Sequence, residues 1–341
     1  MTPLPFDPFS QSWLRAAARV VDWFEARVDE AGRLEGELHD LGSYYKWPLF
    51  LSTLGRFELA QTVIQTIVDD FMTDQGDFRN GTDKSSDPLY GLISDSYTNT
   101  WPIVAARILE RPDIARPALE CLRARQVETT GGFLTGFADQ HADRRQDIVT
   151  IAGCGNAFLA WGELAEAVAA GQCLIRVLEM QEGRANPFHL YIDGDGKLLT
   201  PLDIPEKLAL IRLDQPEQVY VYLGMAAVFM ARLFAVTGEQ RFLAGAQGYF
   251  AVNQACGEVV YRGTGCCKTG WAAATLFRLT GQQEYRHSAQ RAAAELLAVQ
   301  EEDGSWQVPN GSAMLNCDAT GELGYHLVQY CMELAARQEG T

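Results

Sequence analysis

The sequence predicts an all-α protein built as a closed ring of six helical hairpins, an (α/α)6 barrel, with a β-hairpin in its longest loop. Three observations lead there. Apolar residues recur at helical spacing in paired segments, broken by short tips that contain Gly or Pro. A turn of the form Gly-x-aromatic or Gly-x-aliphatic returns at intervals of roughly 45 to 55 residues, the mark of an internal repeat. The two terminal helical segments are as apolar as the internal ones, which favours pairing the last with the first over an open solenoid with polar caps.

The first helix is expected over residues 10–28, where Trp13, Ala16, Val20, Val21 and Phe24 share a face. The second is expected over 44–54, with Pro48 in its first turn, where a missing N–H costs little. Gly55 ends it, and a third helix covers 57–71. The pattern then repeats over 98–109 and 114–125, 154–169 and 173–180, 220–236 and 240–253, 269–279 and 284–299, and ends with 320–337. Tips within a hairpin take about 2 to 4 residues, whereas links from one hairpin to the next take about 12 to 38. That asymmetry puts the long loops on one face, at the N-terminal ends of the inner helices, where function is expected. The longest, 183–218, holds Phe188–Ile192, then Asp193-Gly194-Asp195-Gly196, then Lys197–Leu199, a β-hairpin with an Asp-Gly turn. Residues 1–341 are expected to form a single domain.

Composition narrows the partners. The chain is 47% hydrophobic with a net charge of -16, so nucleic acid and anionic membranes repel it. The apolar run 219–236 has helical period and contains Arg232, which indicates a buried helix rather than a membrane span. Eight cysteines without framework spacing, and an N-terminus without a secretory pattern, point to a reducing, cytoplasmic compartment.

The clearest recurring turn is Gln300-Glu301-Glu302-Asp303-Gly304-Ser305-Trp306. Related turns run from Gln126 to Gly131-Gly132-Phe133 and over Gly76-Asp77-Phe78, with weaker ones at Gly32-Arg33-Leu34, Gly183–Phe188 and Gly257-Glu258-Val259. Residues 291–306 are similar to the glutamine-tryptophan repeat of squalene and hopene cyclases. Most of the chain resembles, at fold level, the α/α-toroid group, which also includes protein prenyltransferase β subunits and six-hairpin glycosidases. The resemblance implies a central cup and, from the terpenoid cyclases, cofactor-independent acid–base cyclisation or isomerisation of a small, largely apolar substrate. The Asp-x-Asp-Asp acid of those cyclases is absent, as is the Cys-His-Gly zinc motif of lantibiotic cyclases, so fold alone does not carry the activity over.

Asp40, Asp95, Asp147, Asp214, Cys266 and Asp318 precede successive inner helices at intervals of roughly 52 to 67 residues. They read either as a ring of acids around the cup or as helix N-caps, which Asp favours. Paired carboxylates in a partly dry cup would be driven apart in pKa, one becoming acid and one base. Asp95, Asp147 and Asp318, in dense polar segments, are the expected catalysts, with His326 eight residues beyond Asp318 as a proton carrier. Tyr45, Lys46, Trp47, Tyr97, Trp101, Tyr220, Tyr222, Cys266 and Trp271 are expected to line the substrate, though the aromatic positions also suit helix packing. No metal or other cofactor is expected. Cys266, Cys267, Cys317 and His326 lack a known zinc spacing, the Asp193 loop fails the calcium register, and neither a phosphate loop nor Gly-x-Ser-x-Gly is present. A carbohydrate-active six-hairpin hydrolase, lyase or epimerase is the alternative enzyme. A non-catalytic binding or assembly protein is the third reading.

Overall fold

The computed structural model describes residues 8–36, 38–81, 95–136, 144–181, 186–199, 204–216 and 218–338. Among these, the chain forms α1 (Pro8–Glu25), α2 (Trp47–Thr53), α3 (Phe57–Phe71), α4 (Asp95–Ile108), α5 (Pro112–Arg123), α6 (Ile148–Ala160) and α7 (Leu164–Glu179). A one-turn α8 (Glu206–Ala209) follows in the longest loop. Then come α9 (Tyr220–Thr237), α10 (Gln240–Ala255), α11 (Cys267–Thr280), α12 (Gln283–Ala298) and α13 (Ala313–Gln338).

Two kinds of helix alternate. α6 is buried continuously from Ile148 to Phe158, the pattern of a helix surrounded on all sides. Its neighbour α5 buries only Ile114, Ala115, Ala118, Leu119 and Leu122, a single stripe. The inner helices α2, α4, α6, α9, α11 and α13 pack each against the next, and α13 returns to α2. α1 lies against α13 as its outer partner. The ring is therefore a closed (α/α)6 barrel of six hairpins. The long apolar helix Tyr220–Thr237 is one of its inner staves. Its tip at Gly238 and the tip of α11 at Gly281 take left-handed backbone, with φ of 71° and 74°, and donate N–H bonds to Phe234 O and Phe277 O.

The recurring turns are joints between the staves. Gln300 donates its side-chain amide to Gly304 O at 2.8 Å and to Ala16 O of α1 at 3.2 Å. Gln126 does the same to Gly131 O and to Glu166 O of α7, at 3.0 and 3.1 Å. Each joint thus clamps its own turn to the next outer helix, and the last joint clamps the end of the ring to its beginning. Gly304 has a φ of 94°, and a Cβ there would lie 2.6 Å from Arg19 O. Gly304→Ala is expected to destabilise the fold by about 1–3 kcal/mol through strain and backbone clash, read as a lower urea midpoint at unchanged m-value. The Gly183 turn lies outside the described residues.

The expected β-hairpin forms. β3 (Tyr191–Ile192) pairs antiparallel with β4 (Leu198–Leu199), and on its other side with β1 (Gln146–Asp147). β2 (Phe188–His189) pairs with β5 (Leu210–Ile211).

Several helix starts differ from expectation, most of all in the third hairpin, where α6 begins at Ile148 rather than 154 and α7 at Leu164 rather than 173, so that Gly171 lies inside α7 and not at the tip. α13 begins at Ala313 rather than at 320, because the Ser312 hydroxyl accepts from Leu315 N at 3.3 Å and opens the helix early. Asp318 is therefore inside the helix, not before it. α4 begins at Asp95 itself, not at 98. The second helix is shorter than expected, beginning at Trp47 rather than 44, after a separate 3-10 turn over Leu41–Ser43.

Candidate active site

The extra turn at the start of α13 has a chemical result. Asp318, Glu322 and His326 stand at successive four-residue steps and line one face of that helix. Lys46, at the cap of α2, reaches across to Asp318 Oδ2 at 2.8 Å and Glu322 Oε2 at 2.5 Å. Lys268, in the first turn of α11, meets Glu322 Oε1 at 2.7 Å from the other side. Gly224 of α9 allows this approach, since a Cβ there would lie 2.5 Å from the Lys268 backbone. Both ammoniums are almost wholly buried, while the two carboxylates keep 14% and 12% of their side-chain surface exposed and so face the opening.

Aromatic rings wall the cluster. Lys46 Nζ sits 5.1 Å from the Tyr45 ring and 5.4 Å from Trp101, and Lys268 Nζ sits 5.4 Å from Tyr97. Below them Trp101, Tyr325 and Trp271 pack edge to face at 5.4 and 5.7 Å. His326 packs against all three, and neither of its ring nitrogens has a hydrogen-bond partner among the described residues.

The charges are unevenly held. Burial alone would lower the lysine pKa values, but Asp318 and Glu322 outweigh it at Lys46, and Glu322 does so at Lys268, so both rise. Burial would raise Glu322, yet Lys268 and Lys46 together pull it well below the usual carboxylate range. Asp318 goes the other way, raised by burial and by the Glu322 charge against the pull of Lys46. The two carboxylates are thus driven apart, as paired acids should be. Burial, reinforced by the nearby cations against the pull of Glu322, lowers His326 to about 3, so it is neutral at physiological pH.

That depression predicts an acid sensitivity. The folded pKa lies below the ordinary 6.5, so between about 6.5 and about 3 the unfolded chain binds the extra proton and stability falls as pH falls. His326→Leu should remove up to about 1.4 kcal/mol per pH unit from that slope, measured by urea unfolding at a series of pH values.

The remaining expected residues divide. Asp147 caps α6, accepting from Thr150 N at 2.8 Å and from the hydroxyls of Thr135 and Thr150 at 2.8 and 2.5 Å. It also acts electrostatically on Tyr222, which in turn feels Lys268 and Tyr97. Asp95 is buried in the first turn of α4. Three residues expected to line the substrate turn elsewhere. Cys266 Sγ faces Ala292 O of α12 at 3.6 Å, Trp47 stacks on Trp23 and Phe24 of α1, and the Tyr220 hydroxyl donates to Gln215 O at 2.9 Å. Each fills an inner-to-outer seam or a loop, because a first-turn position points outward as often as inward. Asp214 is exposed and bound by Asn186 at 2.7 Å, away from the cluster. Glu322 and Lys268 were not foreseen. Four-residue spacing between Asp318 and His326 would have found Glu322 had the helix been started at 313.

Cys267, Glu322 and His326 bring ligand atoms within 4.8 Å of one another, a grouping that could suit a metal. The residues present fit a divalent cation poorly, because both Glu322 oxygens already carry an ammonium, and burial pushes the Cys267 thiol up to about 12.

No model of a known protein family matches the chain, and no curated protein matches its sequence. Solved structures do match in fold. A D-mannose isomerase superposes with a TM-score of 0.70 at 12% identity, over 97% of this chain and 99% of that one. The cellobiose 2-epimerase of Spirochaeta thermophila DSM 6192 gives 0.67 at 13% identity, over 99% of each chain. A family 76 glycoside hydrolase (mannosidase) of Bacteroides thetaiotaomicron VPI-5482 gives 0.64 at 12%, over 97% of this chain and 100% of that one. At such identities the likeness is one of fold, the six-hairpin toroid. The expected terpenoid-cyclase kinship receives no support from these relatives, and the glutamine-tryptophan likeness of residues 291–306 reduces to a structural joint.

Proposed function

We propose that this chain is a carbohydrate-active enzyme that isomerises or epimerises a small neutral sugar through an enolate. One observation carries the reading: two buried ammoniums, Lys46 and Lys268, bracket Glu322 beside an aromatic wall. An enolate oxygen is anionic, and fixed cations in a water-poor site stabilise it as it forms. Glycosidic oxocarbenium ions and terpenoid carbocations are positive, so the same two ammoniums oppose both. The names of two structural relatives, a mannose isomerase and a cellobiose epimerase, support a sugar over a polyene.

In this reading Lys46 and Lys268 receive the charge that develops on the carbonyl oxygen. Asp318, a stronger base than an ordinary aspartate, takes the proton from the adjacent carbon as a carboxylate and gives it back as a carboxylic acid, and Asp95 is the second carboxylate of the mouth. Glu322 stays ionised and fixes both lysines. His326, neutral and unpartnered, accepts from a sugar hydroxyl. Trp101 and Tyr97 hold the two ammoniums against their rings beside the sugar, and Asp147 fixes the start of α6 from its cap. Residues 1–341 act as one unit, without a bound cofactor.

The test is solvent exchange. With a panel of aldoses and ketoses in D2O, deuterium should appear by NMR at the carbon next to the carbonyl. Cleavage of an oligosaccharide without such exchange, or no exchange with any member of the panel, would refute the enolate route.

A further inference from the structure

We infer that the barrel axis below the aromatic layer binds a small monovalent anion, of halide to formate size, at Arg232. A cavity of about 30 Å³ lies there. All six inner helices line it, through Leu49, Trp101, Asn156, Arg232, Trp271 and Tyr325. It exceeds the roughly 10–15 Å³ that one water needs and is far too small for a sugar. The Trp101–Tyr325–Trp271 layer separates it from the lysine cluster above.

The lining is rich in donors. The Arg232 guanidinium lies 4.5 Å over the Trp271 ring, donates to Gln329 Oε1 at 3.0 Å and acts electrostatically on the Tyr325 hydroxyl. Every one of these partners is neutral. Glu333, the acid felt at Tyr325, is bound by Arg278, whose own carbonyl accepts from Arg337. Arg278 thus pairs with Glu333, and the hydrogen-bond partners of Arg232 among the described residues are neutral. Asn156 Nδ2 and Trp271 Nε1 are buried donors with no acceptor among the described residues. The acceptors on the lining are few, the Thr100 hydroxyl and the Asn156 carbonyl oxygen, so a water that took these donor bonds would have little to donate to. An anion only accepts. It would take bonds from the orphaned donors and neutralise Arg232 without needing anything in return.

The experiment compares thermal midpoints in sodium bromide and sodium gluconate at equal ionic strength, gluconate being too large for the cavity. Bromide should raise Tm by about 2–4 °C, against the general trend in which well-hydrated, excluded anions stabilise more. In Arg232→Gln that gain should vanish and the general trend return. Crystals of the unmodified protein grown in bromide should show an anomalous peak in the axial cavity beside Arg232, a readout that stands even if the variant fails to fold. Absence of a bromide gain in the unmodified protein, or of a peak in that cavity, would overturn the inference.

Discussion

Lys268→Met is expected to lower the rate of sugar isomerisation by about 10²–10³-fold while leaving the protein folded. Lys268 contributes one of the two cations that face a developing oxyanion, and among the described residues its ion pair is with Glu322 alone, at 2.7 Å. After substitution Glu322 keeps Lys46 as a partner, so the carboxylate is not stranded. The loss should fall on kcat more than on KM, because the charge it stabilises exists only on the way to the enolate. Lys268→Arg should not restore the rate fully, since a planar fork cannot occupy the place of a compact ammonium. The measurement is deuterium exchange at the carbon beside the carbonyl, with near-ultraviolet circular dichroism as the control for folding. An unchanged kcat would remove the lysine pair from the chemistry and with it the observation on which the isomerase reading stands.

Glu322→Leu should have the largest effect on stability, about 3–5 kcal/mol. Glu322 is shared by two buried ammoniums, and among the described residues its removal leaves Lys268 without a carboxylate and Lys46 with Asp318 alone. The cost is that of the stranded charge rather than of lost packing, which a second substitution reveals. Glu322→Leu combined with Lys268→Met should regain much of the loss, because the uncompensated cation is gone. A double-mutant cycle by urea unfolding measures this coupling. If the double variant is no more stable than Glu322→Leu alone, the cluster is not held together by charge in the way described.

The ring was legible in the sequence because its causes are local and periodic. Helical spacing, glycine tips and the turn from Gln300 to Trp306 each act within a few residues, and repetition made them visible. The turn also proved to mean less for chemistry than its cyclase likeness implied. Its glutamine bonds to the next outer helix and its glycine lets that helix approach, which is a structural task. The site was only half legible. Asp318, His326, Lys46 and Trp101 were named beforehand and meet in the structure. Cys266, Trp47 and Tyr220 were named on the same grounds and turn away from the cup. A first-turn position fixes depth in the barrel but not direction around the helix, and one residue of rotation, about 100° in an α-helix, decides between cup and seam.

What the sequence determined by itself is the class of the fold, the face that carries the long loops, and the stock of acids and aromatics placed there. What only the tertiary structure decided is which of those groups meet. Lys46 and Glu322 lie 276 residues apart in the chain and 2.5 Å apart in space, because closing the ring sets the first inner helix beside the last. Charge interactions depend on distance through space and on burial, neither of which is written in local sequence. The chemistry proposed here follows from that closure: two cations, one shared carboxylate and an unpartnered histidine, assembled from helices α2, α11 and α13.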